Sequence, residues 1–320
     1  MGQRVRGALL VVALALVPLG LGCGDDDAIE AAGGPGAAPD AEEALTYVLA
    51  GPPDELDPLL AASRPDQILA RQIHEPLVER LRGPFGEGRG TRGLVRSWGS
   101  SNDRVIWRFE LRRRVRFQDG APFDARAVLA NVERWRTLGP GQEVLPELVA
   151  ADAPRPDRVR FILSHGVADF PQRLATPRLG IVSPAALRPR SGRFAALARP
   201  ERSGTGPFEL RERGPDRTVL ARNVEWWGTP LGLGPVLDQV ELRVARDARR
   251  RVAILRAGAA ELADALPASA ASRVRSDPLL TYLSGDGSEV LAMERSVRGV
   301  RSASAIPPLS EVWLTTVGAG

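Results

Sequence analysis

Hydrophobic and polar residues alternate with a period of two in several short segments of the chain. At residues 105–112, apolar side chains at odd positions alternate with charged ones at 108, 110 and 112. This period predicts a half-buried strand, which Val115–Phe117 is expected to prolong. Further strands are predicted at 45–50, 159–163 and 240–244, where short apolar runs end at turn or charged residues.

Three other segments have the 3.6-residue spacing of amphipathic helices. Asp66 is predicted to cap a helix that ends before Pro76, and Asp124 a second helix, while a third helix ends at Gly258. Strands mixed with helices, without an internal repeat, predict an α/β or α+β domain. The residues on the predicted buried faces are Ile68, Leu69 and Ile73; Val128, Leu129, Val132 and Trp135; and Val252, Ile254 and Leu255.

The N-terminus has the pattern of an export signal. Two arginines precede an uncharged run from Ala8 to Gly22, which is short for a membrane span. Small residues then lead to Cys23, as in the lipobox of bacterial lipoproteins, although Leu19 lies four rather than three positions before the cysteine. We expect a signal peptide over residues 1–22 and lipidation of Cys23. A plain secretory signal with an unused cysteine is the alternative.

Residues 23–43 are predicted to form a lipidated N-terminus and a flexible tether. The segment is rich in Asp, Ala, Gly and Pro and has almost no large apolar residue, so it cannot bury enough surface to offset chain entropy. The folded domain is expected over residues 44–320.

All 43 basic residues are arginines, against 39 acidic residues, and the pI is about 10.3. Because the two signs interleave along the chain, the composition does not indicate a nucleic-acid-binding protein. Arg112–Arg114 with Arg116 is the densest cluster. A solvated face is the preferred interpretation of this cluster, and a phosphate-binding patch is the alternative.

Residues that could support catalysis are scattered. The chain has one Cys and two His, at 74 and 165, and neither Ser183 nor Ser203 has a His nearby in sequence. Gly204–Gly206 is too short for a phosphate loop, and no metal-ligand spacing occurs. We therefore expect no enzyme activity, no cofactor and no metal. The carboxylates Glu133, Glu147 and Asp152 are scattered and do not indicate a glycosidase-type pair, whereas Trp226–Trp227 is a candidate stacking platform.

Six segments, in order and with consistent spacing, resemble one family. They are Leu56-Asp57-Pro58, residues 73–78, the run Trp107–Trp135, Gly204–Phe208, the Arg-Asn-x-x-Trp-Trp step at 222–227, and Ile254–Gly258. The family is bacterial solute-binding protein family 5, which includes oligopeptide-, dipeptide- and nickel-binding lipoproteins of ABC importers.

This resemblance implies a periplasmic-binding-protein-like fold of the type II, peptide-binding class. Members have two α/β lobes that close on a ligand by hinge motion, and a permease recognises the closed form. The implied function is non-covalent capture of a peptide or similar small solute and its delivery to ABC permease subunits. We expect the protein to be exported, and lipid-anchored at the outer face of the cytoplasmic membrane or in the periplasm.

The chain departs from the family after residue 266. Residues 290–320 resemble the family's C-terminal return to the first lobe, which leaves no room for most of the second lobe. The chain is thus predicted to be an internally shortened member: mainly lobe I with an inserted subdomain at about 118–200. The alternative is that the tail resembles the return by chance.

Binding residues are inferred by analogy only. The first-lobe loop with Pro53, Asp54 and Leu56, and the turn at Gly204 and Thr205, would face the cleft; ordinary turn residues are the alternative. We expect weak or no peptide binding by a monomer, and a homodimer or partner that replaces the missing lobe. A one-lobed, non-transport lipoprotein acting as a scaffold or docking module is the second functional hypothesis.

Overall fold

The computed structural model describes residues 44–79, 93–187, 197–231, 235, 237–267, 274, 276–278, 280–284 and 289–294. Cys23, the predicted signal peptide and tether, and most of the predicted return at 290–320 lie outside these residues. The strands are β1 Ala44–Leu49, β2 Val95–Ser100, β3 Ile106–Leu111, β4 Leu148–Arg155, β5 Arg158–Leu163, β6 Phe208–Arg213, β7 Arg217–Arg222, β8 Gln239–Val244, β9 Leu262–Pro267, β10 Leu280–Ser284 and β11 Glu289–Glu294. The α-helices are α1 Arg64–Ile73, α2 Ala125–Thr137, α3 Gly139–Val144, α4 Phe170–Arg173 and α5 Ala248–Arg256.

A seven-stranded mixed sheet forms the first layer, in the order β10-β11-β9-β1-β8-β7-β6. The strand β1 runs parallel to both β8 and β9, while the remaining pairs are antiparallel. Helix α1 covers one face, where Tyr47 and Leu49 are buried, and α5 covers the other, where Val48 packs against Leu255 and Ala263. Burial on both faces explains why β1 reads as a continuous apolar run.

A four-stranded antiparallel sheet, in the order β2-β3-β5-β4, forms the second layer. Its core is aromatic: Phe109 meets Phe161 edge-on at 5.4 Å, and Phe170 packs against both rings. Trp107 and Trp135 are buried, as their periodicity predicts. The sheet starts at Val95 and ends its last strand at Leu163, so the boundary predicted at about residue 118 falls between two of its strands. The inserted subdomain stays a prediction.

The local predictions for strands and helices are largely confirmed. The predicted strands at 45–50, 105–111, 159–163 and 240–244 correspond to β1, β3, β5 and β8. Asp124 caps α2 by accepting the amide hydrogens of Arg126 and Ala127. Helix α5 ends just before Gly258, whose φ of +65° suits a glycine after a helix end. The α/β character predicted from the pattern is therefore confirmed.

Two local predictions are wrong. Ser63, not Asp66, is the N-cap of α1. Asp66 lies three residues later: it donates its amide hydrogen to Ser63 Oγ, and its carboxylate accepts the Ser63 amide hydrogen, which completes a capping box. Val115–Phe117 does not prolong β3, because Arg114 has a left-handed backbone (φ +62°) that turns the chain. Phe117 then donates its amide hydrogen to Ala121 in a tight turn.

The helices of the described residues include none with the length and apolar character needed to cross a bilayer.

Candidate functional site

The carboxyl ends of the parallel strands meet at one edge of the seven-stranded sheet. Leu49 at the end of β1 pairs with Val244 at the end of β8, and β9 runs alongside on the other flank of β1. Ligands of parallel α/β sheets bind outside the carboxyl ends of the strands. We call this region the carboxyl edge; it comprises loop 50–57, residues 245–247 and the end of β9 at 264–267.

Two charged side chains hold loop 50–57 in place. Asp66 accepts the amide hydrogens of Asp54 and Glu55 on its Oδ1, at 2.8 and 2.9 Å. The Arg213 guanidinium donates to the backbone carbonyls of Pro53, at 3.1 Å, and of Asp54. Pro53 is buried, whereas the Asp54 side chain is exposed. The loop is therefore ordered by its backbone, with a carboxylate directed to solvent.

A buried arginine ties the ends of β8 and β9 together. The Arg251 guanidinium donates to four backbone carbonyls, those of Ala245 (2.7 Å), Arg246 (2.8 Å), Asp264 (2.9 Å) and Ala265 (2.6 Å). Sequence reasoning missed this residue. The available signal was its position four residues before buried Leu255, which places it on the inner face of α5.

An open cavity of about 550 Å³, which we call the edge cavity, lies at the carboxyl edge beside β8. Val244 donates its amide hydrogen to the carbonyl of Asp216, which brings the β6–β7 turn to the same end of the sheet. The volume suits a small solute. The lining residues are Asp216, Arg243, Val244, Ala245, Arg246, Asp247 and Arg250.

The predicted binding residues fall into two separate places. Pro53 and Asp54 lie on the carboxyl edge, and Leu56 is buried in the core beneath the same loop. Gly204 and Thr205 precede β6 and lie at the opposite end of the sheet, where both are buried. The analogy therefore groups residues that the fold keeps apart, and a direct binding role for any of them stays a prediction.

Gly204 and Thr205 belong to a buried junction centred on Glu75. The Thr205 hydroxyl and the Trp227 indole N–H each donate to Glu75 Oε2, at 2.8 Å. The Arg112 guanidinium stands 4.4 Å from the centre of the Trp227 ring, a cation–π contact. Burial raises the pKa of Glu75 to about 7. Trp226–Trp227 is thus engaged within the protein rather than forming an open stacking platform.

His74 and Ser203 meet beside this junction, although 129 positions separate them. His74 Nε2 lies 2.9 Å from Ser203 Oγ, and both side chains are fully buried. Burial lowers the pKa of His74 to about 3, so the imidazole is neutral. The Ser203 hydroxyl donates to the carbonyl of Pro200. The pair is therefore a buried structural hydrogen bond that is closed to solvent, not an activated nucleophile.

Other charged groups considered from the sequence are separated in ordinary ion pairs. Glu133 pairs with Arg136, Glu147 with Arg173, and Asp152 with Arg160. Within the described residues, His, Cys, Asp and Glu form no group of three or more that could hold a metal ion.

The Arg112–Arg114 cluster lines a second cavity, of about 390 Å³, on the four-stranded layer. There Arg113 is paired with Asp157 at 2.6 Å, and Arg155 lies 3.7 Å from the same carboxylate. Arg116 donates to the carbonyl of Gly120 instead.

Comparison with known proteins identifies relatives of one kind. A profile of the bacterial extracellular solute-binding proteins, family 5 Middle, matches residues 91–312. The nickel-binding periplasmic protein of Escherichia coli K12 is 30% identical over 236 residues, which are 71% of this chain and 41% of that protein. A probable D,D-dipeptide-binding periplasmic protein, DdpA, of the same strain is 29% identical over 231 residues, 71% of this chain and 44% of that protein. These relatives are binding proteins.

Solved structures share the fold. The binding protein AgaA from A. tumefaciens R10, in complex with agropinic acid, has a TM-score of 0.64 at 24% identity, over 76% of this chain and 48% of that chain. NikA from Brucella suis, in complex with Fe(III)-EDTA, has a TM-score of 0.62 at 25% identity, over 75% and 47%. The periplasmic-binding-protein-like fold predicted by resemblance is confirmed. The chain spans less than half the length of the curated relatives it matches, and it belongs to the bacterial extracellular solute-binding proteins, family 5.

Proposed function

We propose that this chain is the solute-binding subunit of a peptide-type ABC importer, which captures a peptide or similar small solute at the carboxyl edge and delivers it to permease subunits. The main support for this proposal is that buried or partly buried side chains hold the backbone of the carboxyl edge in place. Arg251 fixes the ends of two strands and Asp66 fixes loop 50–57, so the backbone of the site is formed before a ligand arrives. Such preorganisation lowers the entropy lost on binding.

The relatives support a small polar solute. The curated relatives are a nickel-binding protein and a probable D,D-dipeptide-binding protein, DdpA. The glutathione-binding protein GsiB of Escherichia coli K12 is 29% identical over 217 residues. The exposed Asp54 carboxylate and the arginines around the edge cavity offer both signs of charge to a zwitterionic solute. A peptide has this character at its two termini.

Native mass spectrometry of protein purified from its own host tests the proposal. We expect a retained small molecule, together with a second copy or a partner that covers the carboxyl edge. Hydrogen–deuterium exchange with the recovered solute, or with mixed di- to pentapeptides, should then slow at residues 50–57 and 245–250. A monomer is expected to bind more weakly than the low-micromolar range.

Asp54→Asn is the matched site variant, and Glu225→Gln is its control. Both side chains are exposed, but Glu225 follows β7 at the opposite end of the sheet. We expect Asp54→Asn to weaken binding and Glu225→Gln to leave it unchanged. A solute-free monomer whose exchange no peptide alters would overturn the proposal and leave the one-lobed docking module.

We further propose that the protein is exported and anchored through a lipid on Cys23. Because the chain contains a single Cys, metabolic labelling with an alkyne fatty acid reports on this residue alone. Cys23→Ser is expected to lose the label and to move the protein from the membrane fraction to the soluble one. An unlabelled wild-type chain that fractionates as soluble would favour a plain secretory signal.

A further inference from the structure

The edge cavity contains two arginines whose charges the protein does not use. Arg243 is paired with Glu241 at 2.8 Å and donates to the carbonyl of Ala259. Arg246 and Arg250, by contrast, are exposed, and their guanidinium groups make no hydrogen bond or ion pair with any residue that the structure describes. The cavity therefore presents two available cations.

The acidic residues of the cavity do not cancel these cations. Asp247 is occupied as the N-cap of α5, where its Oδ1 accepts the amide hydrogen of Arg250 at 2.8 Å. Asp216 is exposed and belongs to the β6–β7 turn, and its carboxylate forms no ion pair with Arg246 or Arg250 in the described part of the chain. Three arginines and two aspartates line the cavity, and Glu241 already pairs with Arg243. Arg246 and Arg250 are therefore matched in number by the two aspartates but form no ion pair with them among the residues that the structure describes.

The backbone that carries both arginines is fixed. The carbonyls of Ala245 and Arg246 are held by the buried Arg251 guanidinium, and the Arg250 amide is held by Asp247. The two side chains thus project from an immobilised turn, which reduces the entropy lost when they bind. A planar guanidinium presents paired N–H donors that match a carboxylate or a phosphate.

We propose that Arg246 and Arg250 recognise an anionic group of the captured solute, a carboxylate or a phosphate. This inference rests on the proposed function and narrows its substrate class to anionic or zwitterionic molecules. Asp216 adds an acceptor for a donor group elsewhere on the same ligand. A peptide would enter with its terminal carboxylate toward the arginines.

The test uses acetate and inorganic phosphate as probes, at constant ionic strength, with ligand-observed NMR. The site variant is Arg246→Gln/Arg250→Gln. Its control is Arg249→Gln, which removes an exposed arginine from the same helix but outside the cavity lining. We expect saturable probe binding by the wild type and by Arg249→Gln, and binding at least about tenfold weaker in the double variant. Hydrogen exchange across α5 checks that the helix remains folded.

Equal loss in Arg249→Gln and the double variant would mean that only diffuse charge attracts the probe, and would overturn the inference. Loss of probe binding in Arg114→Gln alone would assign anion binding to the second cavity, which Arg114 lines, and would also overturn the inference. If the native solute still protects residues 245–250 in the double variant, the inference fails while the proposed function stands. If both probes bind as expected but no solute is ever retained, the proposed function fails, and the inference that this anion site serves a captured solute fails with it.

Discussion

The Thr205 hydroxyl donates to Glu75 Oε2 across 2.8 Å, although 130 positions separate the two residues. Trp227 donates to the same oxygen from a third segment. Each of these residues lies in one of the segments through which the chain resembles its family. Three of the six segments therefore meet in a buried junction, while the anchors of the carboxyl edge, Asp66 and Arg251, lie outside all six.

Substitution of Glu75 should make stability less dependent on pH. The folded-state pKa of Glu75 is raised to about 7, so the neutral form favours folding; this contribution is complete below the unfolded pKa of about 4.5 and is lost as pH rises through 7. We expect Glu75→Gln to match the wild type near pH 4.5 and to exceed its stability by about 3 kcal/mol above pH 8. Urea unfolding at several pH values measures the difference. A difference that does not change with pH would contradict the assignment, and Glu225→Gln is the exposed control.

Gly204→Ala should destabilise the junction severely. A Cβ at this position would lie 1.9 Å from the carbonyl oxygen of Ile73, so the backbone of one segment would have to move. We expect a loss of about 3 kcal/mol or more in the free energy of unfolding. Gly99→Ala is the control, since nothing lies within 4 Å of its Cβ position, and it should change stability by less than about 1 kcal/mol. Similar midpoints for the two variants would contradict the close approach.

Arg251→Lys should weaken the carboxyl edge even though the charge is retained. An ammonium group has three donors on one atom and cannot reach all four carbonyls that the guanidinium spans. We expect a loss of about 2–3 kcal/mol, with faster hydrogen exchange at residues 245–247. Arg249→Lys, on the exposed face of the same helix, should stay within about 0.5 kcal/mol. If the amide hydrogens of residues 245–247 exchange at the same rate in Arg251→Lys as in the wild type, Arg251 does not position the carboxyl edge.

The buried ion pair between Asp57 and Arg134 should show strong coupling. Asp57→Asn keeps an acceptor for the Leu59 amide but leaves the Arg134 charge buried and uncompensated, at a cost of about 3–5 kcal/mol. Adding Arg134→Met removes that charge, so the double variant should lose less than the sum of the two single variants. Additive losses would contradict a direct pair. The exposed pair Glu133–Arg136 is the reference, and Glu133→Gln should cost less than about 0.5 kcal/mol.

Sequence patterns predicted the fold where the signal is local. The alternation of β3 and the Asp124 cap depend on residues within one turn or one strand. The sequence does not distinguish Ser63 from Asp66 as the N-cap of α1, because a capping box has polar residues three positions apart and each is a common N-cap residue type. The turn at Arg114 was missed because alternation continues beyond it, and no side-chain pattern reports its left-handed backbone.

The site was less predictable because its essential contacts are non-local. Loop 50–57 was identified by analogy, but its anchor Asp66 was interpreted only as a cap. Arg251 contacts the ends of β8 and β9, which come close in space only because both strands pair with β1, one on each side. The edge cavity likewise combines the β6–β7 turn with the start of α5, which sequence spacing alone does not bring together.

The central position of β1 has a consequence for the order in which the chain acquires its structure. Its partners, β8 and β9, are synthesised last among the described parallel strands, whereas the four-stranded layer draws its pairings from Val95–Leu163 alone. Local antiparallel pairs close quickly, and distant parallel pairs close slowly. On a growing polypeptide the smaller layer can therefore assemble while Ala44–Leu49 waits as an unpaired apolar strand. Until synthesis has passed residue 244, β1 lacks its parallel partner β8, and its apolar residues and unpaired backbone are open to self-association.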